Sequence, residues 1–263
     1  MKDIKIIVAA HKKYQMPEDK IYIPMQVGAE GKEKIKEYIQ DNTGSNISSK
    51  NPNFCELTGL YWAWKNLKAD YIGLVHYRRY FTMKNKTSKT EKEKFKIVLS
   101  QKETEEKLQN IDVILPKKRM YYIENLYSHY AHTMYVEPLD ETRKIIEEKY
   151  PEYLEEFDKL HKRTSAHMFN MFIMKKEILD EYCNWLFDIL FELEKRTDAS
   201  KYDGFHARFY GRISELLLDV WINKNQIKYE EVKVMDMQKV NWLKKGTSFL
   251  MAKFTGRKYG KSF

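Results

Sequence analysis

Residues 70–81 read Asp-Tyr-Ile-Gly-Leu-Val-His-Tyr-Arg-Arg-Tyr-Phe. The apolar run from Tyr71 to Val75 predicts a short buried strand. It delivers His76, Tyr77, Arg78, Arg79 and Tyr80 at its C-terminal end. Ligands of open α/β sheets bind outside the carboxyl ends of the strands, and guanidinium groups pair bidentately with phosphate. The pattern therefore points to an anion site, with phosphate the first choice. His11 and Lys12 follow another apolar run, Ile4 to Ala10, and add basic groups at a second strand end. The polar loop Asp41 to Ser49 precedes a helix whose N-terminus would suit a phosphate. Asp41 and Asn46 in that loop could bond ribose, base or sugar hydroxyls, although turn or cap roles are equally open to each.

A second chemistry needs a carboxylate. Ser214-Glu215-Leu-Leu-Leu reads as a helix start with an acid in its first turn. Glu215 is then either a dipole-favoured terminal carboxylate or a general base for a hydroxyl group. His129 and His132 lie near Glu124 and Glu137, but a metal needs a further ligand that the sequence does not supply, so ordinary polar contacts are the expectation there. Gly-rich phosphate loops, the Gly-x-Ser-x-Gly elbow and the His-Glu-x-x-His helix are all missing.

The elements that must position these groups alternate. Strands are predicted at Ile4 to Ala10, Ile21 to Val27 (weakened by Pro24), Tyr71 to Val75, Ile111 to Leu115, His167 to Met174 and Lys228 to Val234. Helices are predicted from Asn51-Pro52 to about Leu67, from about Thr90, over Leu139 to Tyr150 and Pro151 to Leu160, over Lys176 to Lys195, and over Ser214 to Asn223. Residues 202–213 are ambiguous. This order predicts an α/β sheet.

The chain has 263 residues and a net charge of +9. Hydrophobic residues make up 43%, which argues against general disorder. The excess positive charge favours anionic partners: phosphorylated substrates, an acidic membrane surface or nucleic acid. Nucleic acid is disfavoured because the basic residues are spread among acids and no nucleic-acid motif is present. Cys55 and Cys183 are the only cysteines and match neither a zinc nor a disulfide pattern, which favours a reducing cytosol. The N-terminus lacks signal-peptide character, and no apolar stretch is long enough to span a bilayer. Residues 239–263 form a tail rich in Lys, Arg, Trp and Phe, suited either to an anionic membrane surface or to packing on residues 1–238.

Four motifs in order resemble one bacterial family. They are Ile21-Tyr-Ile-Pro-Met-Gln-Val-Gly28, Asp41-Asn-Thr-Gly-Ser-Asn-Ile-Ser48, Asn51-Pro-x-x-Cys-Glu-Leu-Thr-x-Leu-Tyr-Trp-Ala-Trp-Lys-Asn66 and Asp70-Tyr-Ile-Gly-Leu-x-His-Tyr-Arg-Arg-Tyr-Phe81. The family is that of glycosyltransferases of capsular and exopolysaccharide synthesis, some members of which are assigned as galactofuranosyltransferases. The resemblance spans roughly residues 3–225.

The resemblance implies an α/β fold of the glycosyltransferase A type: one Rossmann-like domain with a mixed central sheet (residues 1–238), followed by the basic tail. It implies that the first strand's end (Ala10, His11, Lys12) and the next loop hold a nucleotide diphosphate. Glu56, His167 and Asn170 would meet the donor sugar or acceptor, and Glu215 would be the catalytic base, with Glu56 and Asp219 in reserve. Such folds normally hold a divalent metal on Asp-x-Asp. Here His76-Tyr77-Arg78-Arg79 stands in that place, so donor binding without a metal is expected; manganese is the alternative cofactor.

The function this implies is inverting transfer of a sugar, galactofuranose or galactose, from a UDP-sugar to a lipid-linked or oligosaccharide acceptor. The protein would work in the cytoplasm, peripherally at the inner face of the plasma membrane, as a monomer or a homodimer. The rival readings are a non-catalytic sugar-binding module and, further behind, a nucleic-acid-binding protein.

Overall fold

A computed structural model describes residues 1–84 and 90–238. The tail expected to dock on a membrane, residues 239–263, lies outside the described residues. Strand β1 (Ile4–Ala10) is buried along almost its whole length, as its near-continuous apolar sequence requires of a central parallel strand. It pairs in parallel with β2 (Tyr22–Gln26). The short β3 (Ile39–Gln40) continues that edge but meets only Met25 and Gln26. Pro24 therefore has no strand on its far side, where its missing N–H would be felt.

The segment read as one helix from Asn51 is two: α1 (Asn51–Phe54) and α2 (Leu57–Asn66). Cys55, at φ +55°, breaks them. Asn51 spans the break, its Nδ2 donating to the Cys55 carbonyl (2.7 Å) and to Thr58 Oγ1 (3.1 Å). A long helix presenting its N-terminus to a phosphate is therefore absent at this position.

Strand β4 (Tyr71–His76) lies on the other side of β1, also parallel. It turns at once into β5 (Arg79–Thr82), with His76 paired to Arg79. The charged stretch that follows carries two short capped helices, α3 (Glu91–Phe95) and α4 (Gln101–Lys107), where one was expected. Next come β6 (Val113–Pro116), β7 (Arg119–Met120), α5 (Leu126–Thr133), α6 (Glu137–Lys149), α7 (Leu154–Lys162), β8 (Ser165–Ala166) and β9 (Phe172–Lys175). The long α8 (Lys176–Arg196), α9 (Phe209–Lys224) and β10 (Tyr229–Asp236) complete the described chain.

The sheet is mixed, as expected, and its order is β3-β2-β1-β4-β5-β10-β6-β9. Strand β9 also pairs with β4, so β4, β5, β10, β6 and β9 close into a ring, which the sequence did not foretell. A two-stranded ribbon joins β7 and β8. Alternation along β1 divides the core. Ile7 and Ala9 face α2, α8 and α9 with Leu57, Leu186 and Leu217. Ile6, Val8 and Ala10 face Tyr80, Phe81, Leu99 and Met235.

Asp41 is the anchor of the loop after β3. Its carboxylate accepts from the Gly28 and Ala29 amides (2.8 and 2.9 Å), from Ser48 Oγ (2.5 Å) and from Thr58 Oγ1 (2.6 Å). Gly28 sits at φ +61°, and a side chain there would collide with Asn51. The expected role of Asp41 at the donor is therefore corrected: its carboxylate is fully buried and saturated by the protein. Asp41→Ala would strand these buried donors and should lower unfolding stability by about 3 kcal/mol or more, measurable in urea; a change below about 1 kcal/mol would contradict the anchoring role.

Candidate functional site

The turn between β4 and β5 separates the two adjacent arginines by direction. Arg79 opens β5 opposite Asp236 of β10. Its Nε lies 3.1 Å from Asp236 Oδ1, and its guanidinium stacks 4.3 Å from the centre of the Phe169 ring. Arg78, at the turn, has no carboxylate partner among the described residues. Its guanidinium lies 5.2 Å from the Tyr77 ring, and its buried Nε makes no hydrogen bond.

His76 Nδ1 accepts from the Arg78 backbone amide (3.2 Å), which leaves Nε2 to carry the proton of a neutral ring. Burial, then Arg78 and Arg79, hold His76 well below the usual histidine range. Burial, then Lys12 and Arg78, lower His11 in the same way. Arg208 adds its field to both histidines, and its Nε donates to Cys55 Sγ at 3.0 Å. The ends of β1 and β4 thus share one strongly positive region.

Of the other residues expected there, Ala10 is buried and uses its carbonyl to accept from the Val27 amide (3.0 Å). The ammonium of Lys12 sits over the Tyr14 ring. Tyr77 is buried and stacks on Tyr14, with ring centres 3.7 Å apart. Tyr14 was not singled out in the sequence, although it closes the basic loop after β1. The Tyr38 hydroxyl ties that loop, bonding the Tyr14 amide and carbonyl. Asn46 is exposed and caps its own loop, its Oδ1 accepting from the Ser48 amide.

Glu215 lies on the other flank. Helix α9 starts at Phe209, so Glu215 is inside the helix and not in a dipole-favoured first turn. The side chain is 5% exposed, and its Oε2 makes no hydrogen bond among the described residues. Arg212 Nη1 lies 3.4 Å from Oε1. Burial pushes the carboxyl above the usual range; Arg212 opposes this, Glu56 adds to it, and Arg79 and Arg119 oppose it again. The neighbourhood also includes Tyr121, whose ring lies 4.1 Å from His129. Burial, then Arg119, hold His129 down at about 4. Among the described residues, no cluster of His, Cys, Asp and Glu is placed to hold a metal. His129 and His132 both face the buried Glu124.

Asn170 joins the two flanks. Its Nδ2 donates to Glu56 Oε1 (2.8 Å) and to the Gly211 carbonyl (3.0 Å), and its Oδ1 accepts from Ser214 Oγ (2.9 Å). It is buried, so it orients Glu56 and α9 more than it faces solvent. Asn170 and Phe169 both have positive φ, +51° and +80°. Such strain persists where surrounding structure enforces it, often at functional sites.

His167 is corrected outright. It is fully buried; Nδ1 bonds Asp219, and Nε2 lies 3.1 Å from Glu231 Oε1. It braces β8 against α9 and cannot meet a sugar. Asp219, held in reserve as a base, has both oxygens committed to His167. Arg119, Arg208, Arg212, Tyr121 and Phe169 were missed. A hint lay in the Arg208, Arg212, Glu215 spacing, whose two arginines fall in the stretch that read as ambiguous, just before the predicted helix that carries Glu215.

The fold and site define a mixed α/β domain with a positively charged end and a buried acid beside it. A family model described as a domain of unknown function (DUF4422) matches residues 5–226, and the chain belongs to that family. Its structure is similar to a solved chain described as the WbbM bifunctional glycosyltransferase in its apo form, with a TM-score of 0.82 and 32% sequence identity. That match covers 90% of this chain and 46% of the other, so this chain spans about half the length of that relative. No curated protein matches.

A carboxyl raised on folding favours the native state while protonated. That stability is lost as pH rises from the unfolded value through the folded one. Glu215→Gln should therefore gain in melting temperature relative to the native protein between pH 4 and pH 8. A constant difference across that range would show that Glu215 is not strained by burial.

Proposed function

We propose that the protein is a nucleotide-sugar-dependent glycosyltransferase of the A-type fold, acting without a metal at the diphosphate. The observation that carries this reading is Arg78, without a carboxylate partner among the described residues, in one field with Arg79, His76, His11 and Arg208, and the buried Glu215, whose Oε2 accepts no hydrogen bond from them, on the adjoining flank. The resemblance to a bifunctional glycosyltransferase supports the same class. The fold type is supported by four neighbouring parallel strands followed by the antiparallel β9.

In this mechanism Arg78 takes the donor's diphosphate, with Arg79 held in place by Asp236 and Phe169. Bidentate guanidinium contacts supply the charge that a cation supplies elsewhere. The stacked Tyr14 and Tyr77 offer a flat surface for the base. The acceptor hydroxyl attacks the anomeric carbon as the bond to the diphosphate oxygen breaks. The electron pair leaves with the diphosphate, and the acceptor proton passes to Glu215. A single displacement inverts the anomeric centre. Glu56, oriented by Asn170, lines the sugar side.

The donor we favour is UDP-galactofuranose or UDP-galactose, and the acceptor a lipid-linked glycan in capsule or exopolysaccharide synthesis. The place of action would be the cytoplasmic face of the membrane, with residues 239–263 as one docking element. No helix of the described residues is long and apolar enough to cross a membrane. The reading as a non-catalytic sugar-binding module predicts no donor hydrolysis when acceptor is withheld.

Transfer should continue in excess chelator; complete loss restored by manganese would overturn the metal-free reading. Glu215→Gln should lower turnover by about 10²–10⁴-fold with donor affinity retained, and near-native turnover would remove Glu215 as the base. Arg78→Ala should weaken donor binding by about tenfold or more, and an unchanged dissociation constant would remove Arg78 from the site.

A further inference from the structure

The segment after β6 has two sides. Arg119 and Tyr121 turn inward: Arg119 lies 5.2 Å from the Tyr121 ring and acts on Glu215. Between and beyond them, Met120, Tyr122 and Ile123 turn outward and are 48%, 86% and 52% exposed. Tyr127, on the first turn of α5, is 40% exposed. Tyr122 and Ile123 occupy the tip of a turn closed by the Glu124 amide on the Tyr121 carbonyl (3.2 Å). Such tips ordinarily carry Gly, Pro, Asn, Asp or Ser, and an aromatic–aliphatic pair there is unfavourable in water.

The base of the tip is tied to the segment before β8 by two backbone hydrogen bonds. The Tyr121 amide donates to the Thr164 carbonyl (2.7 Å), and the Leu126 amide donates to the Arg163 carbonyl (2.8 Å). Charge around it is one-sided. Residues 117–127 and 162–164 hold Lys117, Lys118, Arg119, Lys162 and Arg163 against one acid, Glu124. Glu124 is buried and turned toward His132. Nearby, Asp140 accepts from the Tyr127 hydroxyl, and Glu156 faces Arg163. Lys117, Lys118 and Lys162 have no carboxylate partner among the described residues.

Exposed Tyr, Ile and Met ringed by lysine match the interfacial layer of an anionic bilayer: apolar groups enter below the headgroups while lysines meet the phosphates. We propose that the Met120–Tyr127 tip is a membrane-contact surface, which sets the Glu215 flank of the site beside the lipid. This goes beyond the catalytic reading, because it needs a lipid surface and no sugar chemistry. It is also separate from residues 239–263.

The test is co-sedimentation of the full chain with vesicles of phosphatidylcholine alone or with phosphatidylglycerol. The double variant Tyr122→Ser with Ile123→Ser is compared with the native protein. Binding should require phosphatidylglycerol and fall about tenfold in the double variant, with melting temperature preserved. Amide hydrogen exchange over residues 119–127 should slow on anionic vesicles. Equal binding by the variant, unchanged exchange at 119–127, or no vesicle binding by the native protein would each overturn the proposal. Sedimentation velocity covers the other occupant: a native dimer that the double variant dissociates, with vesicle binding unchanged, would assign the tip to self-association instead.

Discussion

Arg78 and Arg79, at the turn after β4, set up a positive field at the ends of β1 and β4 that disfavours any further positive charge there. Neutral histidines are the first response: burial and neighbouring cations hold His76 and His11 below their ordinary range. Arg79 is steadied by Asp236 and by the face of Phe169. Arg78 has no carboxylate partner among the described residues. A positive centre without a carboxylate partner among the described residues is what the proposed donor diphosphate would neutralise.

The acid flank depends on a different device. Asn170 links Glu56, near the break between α1 and α2, to Gly211 and Ser214 on α9. These groups are far apart in the chain, and the positive φ values at Phe169 and Asn170 are part of what brings them together. The same pair of residues thus serves both flanks: Phe169 supports the guanidinium of Arg79, and Asn170 orients Glu56 and α9. Glu215 sits between these supports with one oxygen unpartnered, in a burial that favours its proton.

The sheet was legible where physics is local. Apolar runs gave β1, β4, β6 and β9, and the long apolar stripe gave α8. The ring closure was not legible, because it depends on β9 meeting both β4 and β6 and on β5 reaching β10. Cys55 hid the break in the first helix, since its positive φ is imposed by Asn51 and Thr58 rather than by its own chemistry. Helix α9 read as starting late because Phe209 to Ile213 lacks a cap residue. The basic cluster was legible as residue types at a strand end. Sequence could not tell that Asp41 and His167 spend their polar atoms on the fold, because their partners, Gly28, Ala29, Thr58, Asp219 and Glu231, are distant or carry no motif. For the same reason it could not separate Arg79, held by Asp236, from Arg78, which has no carboxylate partner among the described residues.

The central claim is that Arg78 and its neighbours bind a nucleotide diphosphate directly. Thermal unfolding with UDP in excess chelator tests it, because a ligand that binds only the folded state raises the melting temperature. The account predicts a concentration-dependent rise for the native protein and little or none for Arg78→Ala. A flat response in the native protein, or a rise that needs manganese, would contradict it.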